Sequence, residues 1–189
     1  MAPVPATVFS DFACPFSYVT EAALRRVEAE GALTLECRAF ELYPAPARLP
    51  LAPAEVEAAL PLAAALGIAL RRPARAVRTR KAHELARFGE RKGVGPALRA
   101  ALFAACWGEG RDIGRIDVLA EVAAAVGLDA TEARVVLDVD TFTAEVRHDG
   151  AEARRLGITG TPVLLLGAGA AARRVDGALT IHEIRALLG

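Results

Sequence analysis

The segment Cys14-Pro15-Phe16-Ser17 places a hydroxyl three residues after a thiol. Proline is favoured at the first position of a helix, where its missing N–H would be unpaired anyway, so we expect Cys14 at the N-cap. The free N–H groups and the dipole of a helix N-terminus stabilise negative charge. We therefore expect a Cys14 pKa below the ordinary value of about 8.5, with the Ser17 hydroxyl donating to the thiolate. The local pattern equally allows Cys14 to be a small buried hydrophobe.

The elements around this segment form a predicted β-α-β unit. A strand over residues 6–10 precedes it, a helix over 15–30 follows it, and a second strand covers 33–40. The helix has apolar residues at helical spacing and Gly31 as its stop, while the second strand alternates apolar and polar residues. The thiol therefore lies where the first strand passes into the helix.

The middle of the chain is predicted to be helical. Four prolines within residues 44–53 indicate a loop. Residues 54–139 are rich in Ala, Leu, Arg and Glu, and glycine-containing breaks divide them into about four short helices. Asp117 and Asp129 are expected N-caps, and Glu132 stands at capping-box spacing from the second.

The last fifty residues return to mixed structure. The pattern predicts a helix over residues 142–156 and a hairpin of strands over 162–166 and 172–176. A final helix begins after Thr180, with Glu183 completing a capping box.

Several segments together resemble a known family. Residues 10–18 look like the active-site turn of the DsbA-like branch of the thioredoxin superfamily. That branch also holds FrnE-like oxidoreductases, kappa-class glutathione transferases and 2-hydroxychromene-2-carboxylate isomerases. Further segments match the family's motifs in the family's order, at residues 40–44, 79–83, 151–162 and 175–178.

This resemblance implies an α/β fold, thioredoxin-like with a helical insertion. It also implies a domain division, with residues 1–50 and 140–189 forming the thioredoxin-like domain and residues 51–139 forming an inserted helical subdomain.

The resemblance also implies a site. Cys14 and Ser17 are its catalytic residues, and the residues expected to bind substrate are Pro15, Phe16, Thr161, Pro162 and His83. A cis Thr161–Pro162 bond would bring the Thr161 backbone beside the thiol, where it could pair with an extended peptide or glutathione. Without the family context, Pro162 is more commonly a trans-proline at the start of an edge strand. His83 is then more commonly a surface residue or one whose hydrogen bonds are satisfied within the protein.

Ser17 departs from the Cys-Pro-x-Cys motif of the dithiol members. An alcohol does not resolve a mixed disulfide, so a dithiol cycle confined to this motif is excluded. The transferases and isomerases commonly have Ser at the position of Cys14, and the chain falls between the two patterns. Cys37 and Cys106 are expected in the core, with Cys37 as a remote resolving thiol the lesser alternative.

The composition excludes several other classes of protein. Lys+Arg and Asp+Glu both count 23, which argues against general polyanion binding, and the three widely spaced cysteines argue against a disulfide scaffold or a zinc site. No signal peptide or membrane span is visible, so we expect a cytoplasmic protein that binds neither membranes nor nucleic acids. The nine basic residues between Arg71 and Lys92 indicate a solvated helical face, or alternatively a rim attracting the carboxylates of glutathione.

Three hypotheses follow. The leading one is a thiol–disulfide oxidoreductase with one active cysteine, no bound cofactor, glutathione as a co-substrate and protein thiols or disulfides as partners. The second is a glutathione-dependent transferase or isomerase, and the third is a degenerate member that only binds partners. The resemblance also allows a homodimer, for which the sequence fixes no interface.

Overall fold

A four-stranded sheet forms the centre of the structure. The computed structural model describes residues 2–46, 55–71 and 76–189. The strands are β1 (Val4–Ser10), β2 (Leu33–Ala39), β3 (Val163–Leu166) and β4 (Arg173–Asp176), in the spatial order β2-β1-β3-β4. β1 is parallel to β2 and antiparallel to β3, and β3 and β4 form the predicted antiparallel hairpin.

Eight α-helices lie in the described part of the chain. They are α1 (Pro15–Ala29), α2 (Val56–Ala65), α3 (Arg80–Arg91), α4 (Gly95–Phe103), α5 (Ile116–Ala125), α6 (Ala130–Asp138), α7 (Thr143–Arg155) and α8 (Ile181–Leu188). A π-helical turn over Ala104–Gly108 continues α4. The opening β-α-β order is confirmed, as are the capping box of Thr180 and the left-handed glycines that end α1 and α7, Gly31 and Gly157.

Both faces of the sheet are covered. Val8 of β1 packs with α1 and α8, whereas its neighbour Phe9 packs on the opposite face with Ala153 of α7. The predicted alternation of β2 is confirmed, since its apolar residues Leu33, Leu35, Cys37 and Ala39 are all buried. Neighbouring residues of a strand point to opposite faces, which explains both patterns.

A second apolar core lies among helices α3 to α6. Leu85, Leu98, Leu119 and Leu137, one from each helix, are fully buried in it. Phe12, two residues before Cys14, also belongs to this cluster. The turn that carries the thiol is therefore packed against the helical core.

Two details of the helical region differ from the sequence-based prediction, and a third agrees with it. Residues 55–138 hold five α-helices and the π-helical turn, so the prediction of about four helices is wrong. Asp117 is not an N-cap, because α5 begins one residue before it and its carboxylate binds the side chain of Arg115 instead. Asp129 does cap α6, accepting the Glu132 N–H at 2.8 Å.

Two further expectations remain predictions. Part of the proline-rich loop, including Pro50 and Pro53, lies outside the described residues. The division into a thioredoxin-like domain (1–50 and 140–189) and a helical subdomain (51–139) is not tested either. α2 contributes Ala63 to the sheet core and Val56 to the helical core, and Leu66, the residue after α2, also belongs to the sheet core. None of the described helices is long and apolar enough to cross a membrane.

Candidate active site

Cys14 is the N-cap residue of α1, with Pro15 at the first helical position. Its backbone is extended, at φ −107° and ψ 118°, as expected for a residue that precedes a helix. The side chain is 5% exposed, and its Sγ lies 3.4 Å from the carbonyl oxygen of Thr161. The thiol therefore lies at the helix terminus that the sequence predicted, between α1 and the loop before β3.

Thr161 and Pro162 form the opposite wall of the site. Their peptide bond is cis, and Thr161 is half-buried while Pro162 is buried. The Thr161 Oγ1 atom is buried without a hydrogen-bond partner among the described residues. The Thr161 carbonyl accepts the Cys14 S–H, so both polar groups of this residue are directed into the site.

The ionisation of Cys14 differs from the sequence-based expectation. Burial raises its pKa above the ordinary value, and the negative charge of Asp11 raises it further. The hydroxyls of Thr161 and Ser17 and the Ser17 backbone N–H act in the opposite direction and lower it. The expected net decrease is wrong, because desolvation of the sulfur outweighs the stabilisation that the helix N-terminus supplies.

The other residues of the motif lie around the sulfur. Ser17 is fully buried, and its Oγ accepts the Asp11 N–H at 3.3 Å, which leaves its own proton free to donate. Pro15 is buried, while Phe16 is half-buried.

His83 lies behind the turn rather than over a cleft. Its side chain is 1% exposed, packs against the ring of Phe12, and places Nε2 3.2 Å from Asp11 Oδ1. Direct donation to a substrate, which the resemblance implied, does not fit this buried position. Its hydrogen-bond partner is the Asp11 carboxylate.

The helical core holds the turn from the other side. The Trp107 indole N–H in the π-helical turn donates to the Phe12 carbonyl at 2.8 Å. Single π-helical turns occur frequently at functional sites. Cys106 next to it is buried, and burial followed by the Asp11 charge raises its pKa to about 12.

A buried ion pair lies beneath α1. The Arg99 guanidinium makes a bidentate salt bridge with Glu21. It also donates to Ser10 Oγ at 3.0 Å and lies 4.8 Å from the Phe12 ring centroid. The Cys37 thiol faces Glu21 at 3.5 Å, and burial together with that negative charge raises its pKa to about 12. Both Cys37 and Cys106 are therefore buried thiols, whose raised pKa values disfavour the thiolate form.

The basic stretch of α3 is largely neutralised. Its cations contact nearby carboxylates, in the pairs Arg80–Glu41, Lys81–Asp140, Arg87–Asp149, Arg91–Glu145 and Lys92–Glu132. For the cations from Arg80 to Lys92, the prediction of a solvated helical face fits these pairs better than that of a rim attracting carboxylates. Arg72 and Arg75 of the same stretch lie outside the described residues. Among the described residues, no cluster of three or more His, Cys, Asp or Glu side chains could hold a metal ion.

Sequence reasoning missed Asp11, Trp107 and the Glu21–Arg99 pair. Asp11 stands in the quoted active-site segment, and its proximity to Cys14 is the signal that could have marked it. The other residues meet the site through tertiary packing, with 95 residues separating Trp107 from Phe12 and 78 separating Arg99 from Glu21.

The thiol at a helix N-terminus facing a cis-proline agrees with what sequence comparison finds. Residues 7–189 match the DSBA-like thioredoxin domain. The chain belongs to this family. The matched stretch is continuous and includes the sheet, Cys14 and the helical region.

Two similar proteins are 28% identical to this DSBA-like chain. One is the uncharacterized protein YwbO of Bacillus subtilis, aligned over 174 residues that cover 85% of each chain. The other is the crystal structure of a probable DsbA oxidoreductase, SCO1869, from Streptomyces coelicolor, with a TM-score of 0.85, covering 98% of this chain and 88% of that one. Both alignments cover most of this chain.

A third similar structure shows the fold alone. It is the cytosolic disulfide reductase DsbM from Pseudomonas aeruginosa, solved with GSH. It is 19% identical with a TM-score of 0.71, covering 91% of this chain and 89% of that one.

Proposed function

We propose that this protein is a thiol–disulfide oxidoreductase that works through one cysteine, Cys14, and exchanges mixed disulfides with glutathione or protein thiols. The observation that carries the proposal is the placement of the Cys14 sulfur at the N-terminus of α1, 3.4 Å from the Thr161 carbonyl and beside Pro162. Family membership supports the general class of chemistry. The single-cysteine cycle and the use of glutathione are our inference from the residues of the site.

The reaction requires only Cys14 and exogenous thiols. The Cys14 thiolate attacks one sulfur of a substrate disulfide, which forms the Cys14 mixed disulfide and expels the other sulfur as a thiolate. A glutathione thiolate then attacks the substrate sulfur of the mixed disulfide. This step releases Cys14 as a thiolate and leaves the substrate joined to glutathione, so the two electrons come from glutathione.

Thr161 and Ser17 would act on the sulfur in this cycle. The Thr161 hydroxyl has no partner among the described residues and favours the thiolate form of Cys14, as does the Ser17 hydroxyl. Both groups would therefore stabilise Cys14 as it leaves the mixed disulfide. Because its pKa is raised, Cys14 is mostly protonated at neutral pH and attacks a disulfide slowly. The thiolate that does form is the stronger nucleophile, since nucleophilicity rises with pKa.

The test is glutathione-dependent reduction of bis(2-hydroxyethyl) disulfide by the full chain. Cys14→Ser should reduce the rate to that of glutathione alone, whereas Cys106→Ala, which removes a buried thiol outside the site, should retain it. Ser17→Cys should allow a second thiol to compete for the mixed disulfide and make turnover less dependent on glutathione. Undiminished turnover in Cys14→Ser would refute the proposal.

A glutathione-dependent transferase or isomerase is the second candidate. It is favoured by the two hydroxyls of Thr161 and Ser17 at the sulfur and by the absence of a second thiol in the motif. In that case the hydroxyls would hold the sulfur of glutathione itself. Retained glutathione binding in Cys14→Ala, without any disulfide reduction by the parent chain, would support this function.

A further inference from the structure

Asp11 is a buried carboxylate on which three parts of the chain converge. Its side chain is fully buried, Oδ1 accepts the Ala13 N–H at 3.3 Å, and Oδ2 accepts the Leu42 N–H at 2.7 Å. The first bond closes the turn that carries Cys14, and the second fixes the segment after β2. The third contact comes from His83 of α3, whose Nε2 lies 3.2 Å from Oδ1.

The His83 side chain forms its hydrogen bond with Asp11. A carboxylate only accepts hydrogen bonds, so Nε2 carries the proton and donates it. The opposite ring nitrogen, Nδ1, is buried without a hydrogen-bond partner among the described residues. The Asp11 contact is therefore the polar interaction that explains a histidine at this buried position, since burying polar groups without partners is costly.

The charge of Asp11 reaches the reacting sulfur. It raises the pKa of the Cys14 thiol, as burial does, and its effect is smaller than those of burial and of the hydrogen bonds from Thr161 and Ser17. It also raises the pKa of Cys106 and of Tyr43, again after the larger effect of burial. The groups that favour the Cys14 thiolate, Ser17 of α1 and Thr161 of the loop before β3, are neutral hydroxyls.

We propose that Asp11, held by His83, is the positioning residue of this site, fixing the Cys14 turn while opposing negative charge on the Cys14 sulfur. The His83 N–H donates to the carboxylate and partly offsets its negative charge. Asp11 therefore destabilises the Cys14 thiolate less than it would without His83. This inference rests on the proposed function only in taking Cys14 as the reacting residue.

The first test is the pH dependence of Cys14 alkylation in the folded protein. Asp11→Asn removes the charge, so the Cys14 pKa should fall and alkylation at pH 7 should become faster than in the parent. An unchanged or increased Cys14 pKa in folded Asp11→Asn would overturn the proposal. Peptide mapping assigns the label to Cys14.

The second test leaves Asp11 and its backbone hydrogen bonds in place, and so decides the question even if Asp11→Asn does not fold. His83→Leu removes the donor and should raise the Cys14 pKa, while His83→Gln, which places an N–H near the position of Nε2, should restore it. Equal profiles for the Leu and Gln variants would contradict the pairing of His83 with Asp11.

A double-mutant cycle completes the experiment. In the Asp11→Asn background, His83→Leu should have little effect on the Cys14 pKa, because the two residues act as one unit. Effects of His83→Leu that are equal in both backgrounds would also contradict the proposal. All these readings come from alkylation, so they hold or fail independently of whether the chain reduces disulfides.

Discussion

For Cys14, the position of the residue could be predicted from the sequence, but the ionisation of its sulfur could not. Its position at the N-cap followed from the local sequence, because Pro15 marks the start of a helix and the preceding residues favour a strand. Its ionisation did not follow, because the burial that raises the pKa comes from packing against distant residues such as Thr161, 147 positions away. Local sequence predicts which residue is at a helix terminus but not how much water reaches it.

The pH profile of Cys14 alkylation should have its inflection above the ordinary thiol value of about 8.5, because burial disfavours the thiolate. Thr161→Val keeps the shape of the side chain and the backbone carbonyl but removes a hydroxyl that lowers this pKa. The inflection should therefore move to still higher pH in that variant. Thr34→Val, at an exposed position of β2, is the matched control and should leave the profile unchanged. A profile of Thr161→Val that coincides with the parent would show that the hydroxyl does not act on the sulfur.

At the scale of elements, periodicity and capping predicted the β-α-β opening, the closing hairpin and α8. Each of these is specified by residues a few positions apart, such as Thr180 and Glu183. The Glu21–Arg99 pair escaped prediction because it depends on how α4 packs against α1, and the π-helical turn escaped prediction as well. A buried charge has no local signature until its partner's position is known.

The Glu21–Arg99 pair should make folding stability sensitive to acid. Burial alone would raise the Glu21 pKa, but the Arg99 charge and hydrogen bonds bring it below the ordinary value. The pair's contribution is therefore complete above about pH 4.5 and is lost as pH falls through the lower folded-state pKa. The free energy of unfolding, measured by urea titration between pH 3 and pH 7, should fall less steeply with acid in Glu21→Gln than in the parent.

Removing only the Arg99 cation should lower the folding stability more than removing the Glu21 charge does. Arg99→Met leaves Glu21 buried without its partner and should cost about 3–5 kcal/mol, whereas the double variant Glu21→Met/Arg99→Met should recover part of that loss. A double variant that is no more stable than Arg99→Met would contradict this account of the pair.

At the scale of the whole molecule, the Cys14 turn joins the two cores. Phe12 packs among the helices, its carbonyl accepts the Trp107 N–H, and Phe9 three residues earlier lies in the sheet. Continuous packing across the junction predicts that the sheet and the helices unfold together. The family resemblance predicted a helical insertion, but not which side chains connect it to the turn.

Trp107 is the only tryptophan in the chain and therefore reports on this junction. Its fluorescence and the far-UV circular dichroism should give coincident unfolding curves in urea. Trp107→Phe removes one hydrogen bond to the active-site turn and should lower the stability by about 1 kcal/mol. Separate transitions for the two probes would indicate that helices α3 to α6 unfold on their own.

The central claim is that Cys14 alone carries the chemistry through a mixed disulfide. Its most direct test is mass spectrometry of the folded protein after incubation with oxidised glutathione, with peptide mapping of all three cysteines. We expect one glutathionyl group, on Cys14, that is released by added reduced glutathione, while Cys37 and Cys106 react only after denaturation. A folded protein that takes up no glutathione on Cys14, or takes it up equally on the two buried thiols, would contradict the claim.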